Sequence, residues 1–155
     1  MDSQQTSVAS FVTAYANRMM PASKRSIGAL VVDDEASVRK FVERVLGEAG
    51  YATTAASDGP EALEAAAKLD RFDILVTDVM MPQMTGDELA RRLRAGHPGL
   101  KVLYLTGFSD RLFKEKVTLW ADEAFLDKPC SVKGLLQAVS LLLFGRVEAP
   151  QDFRS

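Results

Sequence analysis

The 155-residue chain reads as one α/β domain built on a five-stranded, doubly wound parallel sheet. Three observations predict it. Short apolar runs recur that are too brief for helices and lack the polar alternation of half-exposed strands, as in Ile27–Val32 (IGALVV), so they suit strands covered on both faces. Longer segments with apolar residues at helical spacing lie between them, and that alternation marks parallel strands joined by crossover helices. The runs also end in Asp, Thr or Lys just before turns, at the carboxyl edge where such sheets bind ligands. Right-handed crossovers leave helices on both faces.

The first strand, Ile27–Val32, runs directly into Asp33-Asp34-Glu35. From Ser37 onward Val38, Phe41, Val42, Val45, Leu46 and Ala49 share one face of a helix that stops at Gly50. Tyr51–Ala56 is a shorter, weaker strand, and Ser57-Asp58-Gly59-Pro60 supplies both a turn and the start of a helix through Leu69. Phe72–Thr77 is the central strand and leaves Asp78 at its carboxyl edge. Pro82 cannot donate to a ladder and biases Met81 away from the helical region, so the chain turns there before a helix over Gly86–Ala95 with Leu89 and Leu93 inward. Gly96-His97-Pro98-Gly99 breaks that helix, and His97 is expected to be exposed and no phosphodonor. Leu100–Leu105 forms the fourth strand, ending in Thr106-Gly107. Ser109–Leu119 is a weakly patterned helix with Leu112, Phe113 and Val117 inward, and Ala124–Leu126 is a short last strand ended by Asp127-Lys128-Pro129. From Ser131 to Phe144 a nearly apolar helix carries Val132, Leu135, Leu136, Val139, Leu142 and Leu143 on its core face, with Leu141 and Phe144 widening the stripe.

The flanks differ from this pattern. Residues 1–26 are rich in Ser and Thr and nearly free of acid after Asp2; Val8, Phe11, Val12, Tyr15 and Met19 recur at helical spacing. A short amphipathic helix ending before Pro21 and an unstructured tail are the two readings of that N-terminal extension. Residues 145–155 read as a flexible tail. No internal repeat is apparent, and one domain occupies 27–144.

A formal net charge of −2 and the lack of a basic run argue against direct nucleic-acid binding. Cys130, the single cysteine, excludes an internal disulfide and a cysteine-based zinc site. Burial is the simpler reading of it than redox chemistry. No apolar run is long enough to span a bilayer and the start lacks a secretory pattern, so a soluble, cytoplasmic protein without a membrane partner is expected.

In the predicted sheet the first strand ends in Asp33-Asp34, the third in Asp78, the fourth in Thr106 and the fifth in Lys128, so these residues converge on one edge. Three carboxylates in a small cleft repel one another unless a cation neutralises them or some take up protons. A hard divalent ion bound through oxygen is the natural answer, and Mg²⁺ characteristically uses one or two carboxylates together with waters and phosphate oxygens. The backbone carbonyl of Met80 offers one more oxygen, and Lys128 brings a compact positive charge.

Over roughly residues 27–144 the chain closely resembles the receiver domains of two-component response regulators, the single-domain type included. The segments LVVDDEASVRK, DILVTDVMMPQMTG, VLYLTG and AFLDKP carry the likeness, each in the expected order and strand context. The resemblance implies a flavodoxin-like (βα)5 sheet in the order 2-1-3-4-5. It implies that Asp78 accepts a phosphoryl group from a phosphohistidine on a sensor histidine kinase or histidine phosphotransferase. Asp34, Asp78 and the Met80 carbonyl would bind Mg²⁺ directly and Asp33 mainly through water, while Thr106 and Lys128 would contact phosphoryl oxygens. An Asp near its ordinary pKa would need no general base for this. The family's two-state switch maps to Thr106 and to Phe125, an aromatic without the hydroxyl of tyrosine.

A receiver promotes its own phosphorylation and dephosphorylation and is not a multiple-turnover enzyme on external substrates. Met80 and Phe108 are bulky and apolar beside the site, which implies slow self-dephosphorylation, and Cys130 stands where an aromatic is common. With no output domain expected after Gly145, the signal would leave through the surface of the fourth helix, last strand and last helix. Leu112, Trp120, Phe125, Leu141 and Phe144 are its candidate residues, and an unknown downstream protein or a phosphorylation-dependent homodimer its partner. Coverage of that patch by Phe11 and Tyr15 is the competing reading. Two other classes share parts of the pattern. A phosphohydrolase of the haloacid-dehalogenase type would want an Asp where Met80 stands, and a flavodoxin-like small-molecule binder would want a phosphate-cradling loop where Asp33-Asp34 stand.

Overall fold

The computed structural model describes residues 27–107 and 122–145. The amphipathic segment within 1–26, the helix expected over 109–119 with Phe108 and Trp120 beside it, and the tail after Gly145 lie outside the described residues. The elements are β1 (Gly28–Val32), α1 (Ala36–Glu48), β2 (Ala52–Ala56), α2 (Gly59–Ala67), β3 (Ile74–Asp78), α3 (Gly86–Gly96), β4 (Lys101–Thr106), β5 (Glu123–Asp127) and α4 (Val132–Phe144). All strand pairs are parallel and the sheet order is β2-β1-β3-β4-β5, as expected.

Successive residues of a strand point to opposite faces, and both faces here are apolar. Ala29, Val31, Ile74, Val76, Leu103 and Leu105 pack under α1 and α4, against Val42, Leu46, Leu135, Leu136 and Val139. Leu30, Val32, Leu75, Val102 and Tyr104 face the other way, against Ala62, Leu89, Ala90 and Leu93 of α2 and α3. This two-sided burial explains the unbroken apolar runs. Every residue of β3 is buried, whereas the edge strand β2 is buried only at Ala56, which accounts for its weaker pattern.

Local chemistry sets the ends. Asp58 accepts the Glu61 N–H at 2.8 Å and Pro60 sits in the first turn of α2. Ser131 accepts the Gly134 N–H at 2.9 Å, which makes it the cap of α4 and not its first helical residue, and Gly145 closes that helix in the left-handed conformation. The central strand starts later than expected. Asp73 uses its N–H on the Gly28 carbonyl, at 2.8 Å, and its carboxylate on the Gly28 N–H, at 2.9 Å, so it ties β3 to the start of β1 and Asp78 closes the strand. His97 is half-buried rather than exposed, because its ring lies against Phe72 with centroids 4.3 Å apart.

Candidate functional site

At the carboxyl edge of the sheet, one carboxylate oxygen each from Asp33, Asp34 and Asp78 lie within 4.8 Å of one another. Asp33 and Asp78 are buried and Asp34 is exposed. Lys128 reaches the same place from the end of β5, its Nζ 3.1 Å from Asp33 Oδ2 and 3.2 Å from Asp78 Oδ1, with Glu35 Oε1 further out at 3.6 Å. Four residues from three strand ends thus form one electrostatic unit.

Each carboxylate is held in place. Asp33 Oδ1 accepts the Glu35 N–H at 2.8 Å at the start of α1, and the Arg39 guanidinium donates to the Asp33 carbonyl at 2.8 Å. Asp78 Oδ1 accepts the Val79 N–H at 2.8 Å. The loop after Asp78 closes through Gly86, whose N–H donates to the Val79 carbonyl at 2.7 Å. A Cβ on Gly86 would stand 2.2 Å from the Asp78 carbonyl oxygen, so only glycine permits this approach.

The charge balance is unfavourable. Burial, then the charge of Asp33, push the Asp78 carboxyl up to about 7, although Lys128 works the other way. This departs from the ordinary, fully ionised aspartate expected from sequence, because the expectation left out desolvation. Burial likewise raises Asp33, against the lowering effect of the Glu35 N–H and Lys128. Lys128 itself is raised: desolvation opposes its charge, but Asp33 and Asp78 outweigh it. Asp33 Oδ2 is buried and, among the described residues, accepts no hydrogen bond, its contact with Lys128 being an ion pair only. An oxygen-only donor set, a buried carboxylate oxygen met only by the Lys128 ammonium and an acid held half-protonated near neutrality all fit a hard divalent cation such as Mg²⁺.

A family model described as "Response regulator receiver domain" matches residues 29–140. The chain belongs to the response regulator receiver family. Among curated relatives, the receiver aligns at 39% identity over 115 residues with "Sensor kinase CckA" of Brucella abortus, covering 74% of this chain and 12% of that protein. It is 41% identical over 124 residues to "Response regulator MprA" of Mycobacterium leprae, covering 79% of this chain and 53% of the other. This receiver therefore spans only about an eighth and about half of those two relatives. "Response regulator receiver protein CpdR" of Brucella abortus is 32% identical over 114 residues, with 94% of its length covered. Among solved structures, chemotaxis response regulator CheY4 of Vibrio cholerae superposes with a TM-score of 0.66 at 34% identity, covering 77% of this chain and 100% of that one. A response regulator receiver protein from Sinorhizobium medicae does so with 0.68 at 31% identity, covering 77% and 95%.

Within the receiver, the remaining residues singled out from sequence occupy distinct places. Thr106 is buried at the end of β4, and its hydroxyl donates to Asp127 Oδ1 at 2.9 Å. Phe125 is half-buried on the α2–α3 side, its ring centroid 5.9 Å from that of Tyr104. The Met80 side chain is exposed two residues past Asp78. Cys130 is half-buried against the α1–α4 side of the core, and burial pushes its thiol up, as suits an unreactive cysteine. Of the expected surface, Leu141 is exposed and Phe144 half-buried. Sequence reasoning missed two contributors, Gly86 and Asp127. From sequence Gly86 is only the start of a helix and Asp127 only a strand-ending turn residue; the close approach of the one to the Asp78 carbonyl and the bond of the other with Thr106 depend on the folded chain. No described helix is long and apolar enough to cross a membrane.

Proposed function

We propose that this receiver accepts a phosphoryl group on Asp78 from a phosphohistidine of a sensor histidine kinase or histidine phosphotransferase. The observation that carries the reading is the gathering of the Asp33, Asp34 and Asp78 carboxylates within 4.8 Å, with the Lys128 ammonium 3.2 Å from Asp78. An Asp78 oxygen attacks phosphorus in line, the P–N bond to the imidazole breaks, the imidazole takes back its electron pair and later a proton, and Asp78 becomes an acyl phosphate. Asp33, Asp34, Asp78 and the Met80 carbonyl would hold Mg²⁺, which would supply charge neutralisation to the carboxylates and the phosphoryl oxygens. Lys128 pairs with one phosphoryl oxygen and the Thr106 hydroxyl donates to another, which is the donor placement that a charge-spread transition state requires.

The receiver passes its signal on by contact, either as a relay shuttle or as a phosphorylation-dependent binder, and it covers nearly the whole of the CpdR and CheY4 chains. Its output surface is that of the helix expected over 109–119, β5 and α4, with Phe125, Phe144 and the exposed Leu141 among its residues. Incubation with acetyl phosphate and Mg²⁺ followed by intact-mass measurement tests the assignment. Wild type gains one phosphate and Asp78→Ala gains none; phosphate on the variant, or none on either, refutes it. Absence of multiple turnover on a generic phosphomonoester separates the receiver from a phosphohydrolase.

A further inference from the structure

The β4–β5 register makes Thr106 and Asp127 direct partners across the sheet, and the Lys128 N–H donates to the Thr106 carbonyl at 2.8 Å, so this end of the ladder is fixed. Side chains alternate along a strand. Asp127 is thereby turned to the Thr106 side chain while Lys128, the next residue, enters the carboxylate cluster. The Thr106 hydroxyl is buried and donates to Asp127 Oδ1 at 2.9 Å. A hydroxyl has one proton to donate, and an ionised carboxylate only accepts. A phosphoryl oxygen on Asp78 is also an acceptor only, so the Thr106 hydroxyl can serve Asp127 or the phosphoryl group, not both.

We infer that Asp127 is a positioning residue that acts through Thr106: it holds the hydroxyl away from the phosphoryl site and sets how much of the unphosphorylated protein resembles the activated state. This rests on the phosphoacceptor reading of Asp78. The bond is charge-assisted, hence stronger than one between neutral groups. The apparent affinity for any activating ligand is reduced by the fraction of molecules that are competent to bind it. Releasing the latch raises that fraction without touching the acceptor, the metal ligands or Lys128.

The test uses the full chain with saturating Mg²⁺ and beryllofluoride, a phosphoryl mimic, titrated calorimetrically into wild type, Asp127→Asn, Asp127→Ala, Thr106→Ala and the Asp127→Ala/Thr106→Ala double variant. Asp127 is exposed at the strand end, so its substitutions leave the core intact. Asp127→Ala is expected to bind roughly tenfold more tightly than wild type, with Asp127→Asn between the two because a neutral amide oxygen still accepts. In the Thr106→Ala background the Asp127 effect disappears, which a general effect on folding would not do. Equal or weaker binding by Asp127→Ala overturns the inference, as does an effect that persists without the Thr106 hydroxyl. If wild type itself binds no beryllofluoride, the phosphoacceptor reading fails instead.

Discussion

Replacing Asp78 by Asn should stabilise the metal-free protein, and the size of the effect follows from the site. The carboxyl moves from 3.8 to about 7 on folding, chiefly through burial and the charge of Asp33. About 3 pKa units at roughly 1.4 kcal/mol each is about 4 kcal/mol of penalty when the group is ionised. Asn keeps the shape and the carbonyl that accepts the Val79 N–H, but carries no charge to desolvate. The amide reproduces the carboxylate's contacts imperfectly, which returns part of the gain and leaves about 1–3 kcal/mol, or roughly 3–10 °C in Tm for a chain of this size. The sign with pH is fixed. Between about 4 and 7 the folded state holds a proton that the unfolded chain has released, so wild-type stability falls as pH rises through that window and levels off above it. The variant's advantage should therefore be full at pH 8 in EDTA, shrink toward pH 4, and narrow when Mg²⁺ is added, since the ion stabilises wild type more. Thermal unfolding followed by circular dichroism in those conditions is the assay. A variant no more stable than wild type at pH 8, or a gap that ignores both pH and Mg²⁺, would refute the charge argument.

Gly86→Ala places a Cβ 2.2 Å from the Asp78 carbonyl oxygen; a loss of about 1–3 kcal/mol in denaturant unfolding and slower labelling by acetyl phosphate are expected together. Lys128→Met removes the ammonium that contacts Asp33 and Asp78. Leaving buried carboxylates without their partner costs about 3–5 kcal/mol without metal, and Mg²⁺ should recover more of the lost Tm than it adds to wild type. Met80→Asn with Phe108→Glu replaces two apolar residues, two positions past Asp78 and two past Thr106 in the chain, by polar ones. The acyl-phosphate lifetime, followed by intact mass, should shorten several-fold, and an unchanged lifetime would remove the screening role.

The fold was legible because burial on both faces forces near-continuous apolar strands, and helical periodicity cannot be confused with short unbroken runs such as Leu30–Val32 or Ile74–Val76. Strand ends were less so. Phe72 is as buried as a strand residue, but what decides that the ladder begins at Ile74 is the pair of bonds between Asp73 and Gly28, which joins segments 45 residues apart. The acidic cluster and Lys128 could be placed together because each follows directly from a strand end. Its proton affinity could not, since desolvation depends on what packs around Asp78 and not on its neighbours in the chain. Asp127 illustrates the same limit: before Lys128-Pro129 it looks like turn chemistry, and the parallel register is what sets it against Thr106.

These features follow from one imbalance. When all are ionised, Asp33, Asp34 and Asp78 exceed Lys128 by two negative charges, and burial keeps water from screening Asp33 and Asp78. The sheet tolerates this only because strong backbone donors hold Asp33 and Asp78. The excess equals the charge of one divalent cation, so ion binding relieves a cost already present in the fold, and metal affinity and stability are linked by mass action. On the proposed function, the same relief would shift Asp78 toward the ionised form that attacks phosphorus. A phosphoryl group would then return negative charge to the pocket and create new acceptors there. At the cluster, Lys128 would answer that demand. On the neighbouring strand end, the Thr106 hydroxyl would do so only by giving up Asp127, so the chemistry at one carboxylate would be transmitted to β5 through the fate of a single proton.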